Sequence, residues 1–190
     1  MNKEVTMLID VTLKITPKMA KDAQGNEKKA LVGHLGTHFD VMNKEFPLDY
    51  AIRKGYVFDV SSIKDRDIEV SDIDITKIDK AMFIVFYTNF IEEVPYGTKP
   101  YYKQHPQLSH NLIDTLLEKE VALIGIDCAG VRRGKEHTPT DQLCADKGTF
   151  IIENMCNLKR ITNQLVTIYT FPMSYTDISG LQCRIMIAKE

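Results

Sequence analysis

The 190-residue sequence predicts a mixed α/β domain built round a twisted sheet. Two observations carry that expectation. Runs of strand character outnumber helical patterns and are unevenly spaced, and one helical pattern runs directly into an apolar strand. The length fits a single domain, taken as residues 1–190, and no Pro/Gly/Ser-rich linker or internal repeat divides it. Hydrophobic residues make up 44% of the chain, enough for a sizeable core.

Met7 to Ile15 alternates apolar and polar side chains and reads as a strand ending near Thr16-Pro17, and the polar stretch from Lys18 to Lys29 reads as a loop. Tyr56 to Val60 and Met82 to Tyr87 are rich in aromatic and β-branched residues and have the length of buried strands. Leu108, Leu112, Ile113, Leu116 and Leu117 recur at helical spacing, which predicts a helix over 107–119. It leads into the strand Val121 to Ile126, closed by Asp127. Thr140 or Asp141 starts a second, short helix reaching Lys147, and Gly148 stops it before a strand at Thr149 to Ile152. Leu165 to Phe171 and Leu181 to Ala188 complete the strands.

With 24 basic and 26 acidic residues, the chain offers no broad basic field for nucleic acid or anionic lipid. A small-molecule substrate is therefore the expected partner. The N-terminal stretch lacks the apolar segment of a signal peptide, and no apolar run reaches membrane-spanning length. Cysteines at 128, 144, 156 and 183 form no CxxC pair, so reduced thiols and a cytoplasmic setting are expected.

The chemistry concentrates in Gly33-His34-Leu35-Gly36-Thr37-His38-Phe39-Asp40. On a helix, Asp40 would lie about 200° round from His38. On an extended chain, His34, His38 and Asp40 project to one side. A straight strand would separate the two histidine Cα atoms by roughly 13 Å, so the chain must bend between them. Gly36, without a Cβ, permits that bend. Leu35 and Phe39 then face the core. Two imidazoles and a carboxylate suit one divalent ion, zinc or manganese or iron(II), with positions left for water and substrate. Such an ion acidifies water and polarises a carbonyl, the chemistry of amide or ester hydrolysis. The same three residues also read as incidental polar groups. Glu153 closes an apolar strand and either faces a cleft or pairs with a surface lysine. Asp127 has the same double reading, weighted toward structure, and His105 and His110 read as structural or solvated.

The string His-x-Gly-Thr-His-x-Asp resembles the signature of the bacterial kynurenine formamidase and cyclase family, and the likeness runs along most of the chain. Ile9-Asp10-Val11-Thr12 is similar to that family's N-terminal Asp-x-Ser/Thr strand. Ile84 to Phe90 resembles its strand ending in Thr-Gly-Trp, here Thr88-Asn89-Phe90. His105-Pro106-Gln107-Leu108-Ser109, Ile124-Gly125-Ile126-Asp127, and Phe150 to Leu158 (Ile-x-Glu-Asn-x-x-Asn-Leu) match in order. The resemblance implies a swivelling β/β/α fold, a homodimer or homotetramer, and a metal-dependent hydrolase opening an N-formyl or cyclic amide bond. It implies that His34, His38 and Asp40 bind the metal and that Glu153 is a later acidic ligand.

Two departures stand out. Lys44 and Asp141 occupy positions where the family carries histidines that hold a second metal or move protons. A mononuclear centre is therefore expected, with the Lys44 ammonium balanced by Asp141 and Glu153 and these three forming the acid/base set. His137, four residues before Asp141, offers a substitute imidazole. The altered set also leaves open a lactone or hydroxy-carbonyl substrate, or a non-catalytic ligand-binding role. Phe46, Tyr87, Phe90, Tyr96, Tyr101 and Tyr102 are candidates for stacking on an aromatic substrate.

Overall fold

A computed structural model describes residues 7–26 and 33–189. Eight strands form one sheet: β1 (Leu8–Asp10), β2 (His38–Asp40), β3 (Ile52–Asp59), β4 (Phe83–Tyr87), β5 (Leu123–Ile126), β6 (Phe150–Glu153), β7 (Leu165–Pro172) and β8 (Gly180–Lys189). Their order is β1-β8-β2-β6-β5-β4-β3-β7, and pairing of β7 with β8 closes seven of them into a barrel. Neighbours from β3 to β6 run parallel, and every other pairing is antiparallel. Parallel neighbours require crossover connections; those from β4 to β5 and from β5 to β6 carry α-helices, and the one from β3 to β4 carries two short 3-10 turns. The α/β expectation holds.

Alternation along the strands builds two cores. Phe39, Phe83, Val85 and Ile152 point to one side, with Val166, Ile168, Ile185 and Ile187 from the long β7–β8 hairpin. Ile84, Phe86, Ile124, Ile126 and Ile151 point to the other, where α3 (Lys99–Gln104) and α4 (His110–Glu118) cover them with Tyr101, Leu112, Ile113 and Leu116. Ser109 caps α4 by accepting a hydrogen bond from the Leu112 amide, which fixes its start three residues inside the predicted span. Each fully buried leucine or isoleucine on this face contributes roughly 1.5–3 kcal/mol. No described helix is long and apolar enough to cross a membrane.

Four points need correction. The predicted N-terminal strand shrinks to Leu8–Asp10: the Asp10 carboxylate accepts from the Thr12 amide, and at Thr12 the side-chain hydroxyl replaces the backbone in bonding to Ile185 of β8. The segment expected as a loop contains α1 (Pro17–Ala23); Thr16 accepts from the Met19 amide at its N-cap, and Pro17 takes the first helical position. The part of that segment from 27 to 29 lies outside the described residues. Two helices between β4 and α4 were not foreseen, α2 (Phe90–Glu93) and α3. Finally, α5 (His137–Asp146) begins a turn earlier than Thr140.

At the carboxyl ends of β4 and β5, Asp127 Oδ1 accepts from the Thr88 amide (2.9 Å) and the Thr88 hydroxyl (2.6 Å). Asp127 is fully buried and ties the two strands together, the structural of its two readings. Burial pushes its carboxyl up to about 6, against the lowering effect of the Thr88 hydrogen bonds. The folded state therefore holds this proton more tightly than the unfolded chain. Stability from this group is fullest below the unfolded carboxyl range and is lost as pH rises to about 6, up to about 3 kcal/mol. Asp127→Asn keeps the accepting oxygen and removes the titration. Its stability relative to wild type should climb between pH 4 and 6 and stay level above pH 7 in urea unfolding; a difference independent of pH would refute this.

Candidate functional site

β2 lies between β6 and β8, and its register sets His38 opposite Glu153 and Asp40 opposite Ile151. Residues directly opposite share a face, so His38, Asp40 and Glu153 project together, away from Phe39 and Ile152. His34 joins them because the chain turns at Gly36, whose φ is +75°. A Cβ there would stand 2.5 Å from Ile15 Cδ1. The bend required by the spacing is therefore present, and Leu35 alone departs from expectation in being half-buried.

His34 Nε2 lies 3.1 Å and His38 Nε2 3.6 Å from Asp40 Oδ1, with the imidazole rings edge to face at 4.9 Å. One donor atom from each of the three residues falls within 4.8 Å of the others. Donors about 2.1 Å from a tetrahedral ion stand about 3.4 Å apart, so the observed separations fit a shared first-row divalent ion. The His38 Nδ1 lies 2.9 Å from the Gly36 carbonyl oxygen, which can only accept. Nδ1 therefore carries a hydrogen, and Nε2 is the atom turned toward Asp40 and Glu153.

Beyond His38 the cluster continues. Glu153 Oε2 is 3.6 Å from His38 Nε2, and Glu153 Oε1 is 3.6 Å from His137 Nε2. The same His137 nitrogen is 3.4 Å from Asp141 Oδ2, one helical turn along α5. His137 Nδ1 rests on the Arg132 carbonyl at 3.1 Å, which aims Nε2 at both carboxylates. Asp40 Oδ2, Asp141 Oδ1 and Glu153 Oε1 are buried and take no hydrogen bond among the described residues. Three bare carboxylate oxygens in one dry recess are a donor set that a cation satisfies.

The charges disturb one another strongly. Burial pushes the Asp40 carboxyl up, but His38 and His34 outweigh it and hold it far below its usual range. Glu153 is pushed well above its usual range by burial and then by Asp40 and Asp141. Asp141 is raised by burial and then by Asp40. Like charges in one recess cannot all ionise without a compensating positive charge.

Gly130, in the loop after β5, is a residue that sequence reasoning passed over. Its φ is +107°, and a Cβ would fall 2.5 Å from His137 Nδ1 and 2.9 Å from Glu153 Oε1. Only a bare Cα lets the loop pass beneath the imidazole and the carboxylate.

Lys44 lies elsewhere. Met42 turns the chain outward in the left-handed conformation (φ +56°), and Lys44 Nζ sits 2.7 Å from Asp146 Oδ1, about a third exposed. The expected balance of Lys44 by Asp141 and Glu153 is replaced by this surface pair. His105 is buried against the Pro106 carbonyl, with burial pushing its pKa down to about 4, and His110 is exposed near Glu136. Tyr87, Phe90 and Tyr101 belong to the core, which leaves Phe46, Tyr96 and Tyr102 partly exposed among the aromatic candidates.

The family model described as "Putative cyclase" matches residues 9–133, about two thirds of the sequence. The chain belongs to that cyclase family. Among solved structures, it is similar to a "potential metal-dependent hydrolase with cyclase activity" (22% identity, 98% of this chain and 99% of the other, TM-score 0.77). It is similar also to a "predicted metal-dependent hydrolase" from Bacillus stearothermophilus (21%, 98% and 100%, TM-score 0.77). A third is isatin hydrolase A from Labrenzia aggregata bound to benzyl benzoate (16%, 97% and 94%, TM-score 0.75). At these identities the likeness shows that the cyclase fold is shared. No curated protein matches by sequence. Asn89 of this chain adopts φ +66°, a conformation that asparagine tolerates well, at the position where the resembling family motif has glycine.

Gly130→Ala should cost about 2 kcal/mol or more from backbone strain and the contacts with His137 and Glu153. Chemical denaturation in a chelator checks the first part, and a smaller rise of the melting temperature on adding metal checks the second. Lys44→Met, in contrast, should stay within about 0.5 kcal/mol of wild type, as expected for an exposed pair, and keep its metal content. Metal loss from Lys44→Met would return that lysine to the centre.

Proposed function

We propose that this cyclase-family chain is a metal-dependent hydrolase that opens an amide-type C–N bond, N-formyl or cyclic, in a small molecule. The observation that carries the reading is the continuous line His34–Asp40–His38–Glu153–His137–Asp141. Metal-ligand donors occupy one end and a carboxylate–imidazole pair the other. The neighbours described as metal-dependent hydrolases support it, and so do the isatin hydrolases, isatin being itself a cyclic amide.

His34, His38 and Asp40 hold the ion, with Glu153 Oε2 next to His38 as a further ligand. Imidazole and carboxylate without thiolate suit zinc or manganese. When bound, a divalent ion supplies Lewis acidity, polarising the substrate carbonyl and acidifying water. The protein's own residues handle the proton. Glu153 Oε1, buried and without a hydrogen bond among the described residues, takes the proton of the attacking water as oxygen bonds to the carbonyl carbon. It returns that proton to the nitrogen as the C–N bond breaks, so the leaving group departs as a neutral amine. His137, fixed by the Arg132 carbonyl, bridges Glu153 to Asp141 and keeps the two carboxylates apart.

Elemental analysis of untagged protein should find about one zinc or manganese ion per chain in wild type and none in His38→Ala, which should still fold. Glu153→Gln should cost on the order of 10²–10⁴-fold in kcat on N-formyl or cyclic amides. Wild type free of metal after incubation with both ions, or two tightly held ions per chain, would contradict the mononuclear reading. Turnover of lactones alone would move the substrate class to esters.

A further inference from the structure

Resting on the metal-dependent reading above, we propose that Asn154 and Tyr101 are positioning residues that lock the metal-facing orientation of His38 through the Gly36 peptide group. Gly36 is held on both sides. Its amide donates to the Tyr96 hydroxyl (2.9 Å), and its carbonyl oxygen accepts from His38 Nδ1 and from Asn154 Nδ2, each at 2.9 Å. The two donors converge, with Asn154 Nδ2 3.5 Å from His38 Nδ1. A carbonyl oxygen can only accept, so the Asn154 amide must turn its NH2 toward Gly36 and its oxygen the other way. There Oδ1 meets the Tyr101 hydroxyl, which donates to it at 2.7 Å. Burial and the surrounding acidic groups keep that phenol protonated.

Asn154 is itself immobilised. Its backbone is left-handed (φ +58°), its amide donates to the Cys128 carbonyl (2.9 Å) and its carbonyl accepts from the Thr37 hydroxyl (2.8 Å). Tyr101 is wholly buried and Asn154 nearly so. The chain Tyr101–Asn154–Gly36–His38 thus reaches from α3, through the residue after Glu153, to the ring that faces the ion. It selects the His38 tautomer with hydrogen on Nδ1 and blocks rotation of the peptide on which the ring leans. Outer partners of this kind typically set metal affinity over 10–100-fold.

The test is the affinity of the chelator-stripped full chain for Zn2+ and for Mn2+, measured by competition, alongside its metal-free melting temperature and the visible absorption of the Co2+ form. Asn154→Asp keeps a side chain that tolerates the left-handed backbone but removes the NH2 donor. It should weaken binding at least tenfold and change the Co2+ band. Tyr101→Phe, which deletes only the hydroxyl, should weaken binding several-fold with a small change in metal-free melting. Leu112→Ala, a cavity in the same outer core, should lower the melting temperature yet bind as tightly as wild type. Wild-type affinity in both Asn154→Asp and Tyr101→Phe overturns the proposal. So does a loss in those variants that merely tracks melting temperature, as shown by an equal loss in Leu112→Ala. Absence of Zn2+ and Mn2+ binding in wild type itself takes down the metal-dependent reading as well as this one, and is told apart by that sample alone.

Discussion

His38 stands opposite Glu153 in the β2–β6 ladder, and the geometry of the centre follows from that register. A slip of one residue would turn Phe39 to the recess and His38 into the apolar barrel. The register is secured by burial: Phe39 and Ile152 pack inside, while Ile151 packs outside beside the cluster. Because β2 has only three residues, it cannot set its own alignment. The long neighbour β8 on one side and β6 on the other hold it, and the Gly36 turn then returns His34 to the same face. Packing of ordinary hydrophobic side chains thus positions the polar site beside them.

The electrostatic consequence is severe. Asp40, Asp141 and Glu153 share a recess with little water access, and three of their oxygens have no hydrogen-bond donor among the described residues. An unpaired buried polar group costs about 1–3 kcal/mol, and charged ones more. A fold that keeps three such groups together gives up stability for a site able to bind positive charge. The opposite shifts of Asp40 and Glu153 express the same conflict: the carboxylate beside two imidazoles stays ionised, and the one facing two carboxylates resists ionisation.

How much of this was legible depends on how local the signal is. His34, His38 and Asp40 were readable because period-two spacing and one glycine determine their relation within seven residues. Glu153 was readable as the end of an apolar strand, and the α/β class followed from strand and helix periodicity. His137 was read as a substitute imidazole, but its place on the helix was not, since the helix was started at Thr140 or Asp141; it begins at His137 and holds Pro139 in its first turn. Proline is in fact tolerated in a first turn, where amides lack partners in any case. The polar composition of Lys18 to Lys29 hid α1, which likewise has proline, Pro17, in its first turn. Lys44 was placed by its position in the resembling family motif, which does not register the left-handed turn at Met42. Asn154 and Tyr101 meet across 53 positions and carry no local signature.

The departures from the family pattern become coherent once α5 is seen to begin at His137. Where the resembling motif carries histidine, this chain has Asp141, and an imidazole sits one turn earlier on the same helical face. Side chains at i and i+4 are neighbours, so His137 and Asp141 present to Glu153 as a pair. The imidazole has been moved by a turn, with Gly130 left bare to accommodate its ring. Lys44 has no corresponding substitute: it pairs with Asp146 on the surface and leaves its side of Asp40 without a nearby cation from that position. One imidazole relocated and one withdrawn reduce the neutral donors available around Asp40 and Glu153. That arithmetic favours a single strongly held ion beside His34 and His38, with the carboxylate–imidazole pair at the far end free to handle protons.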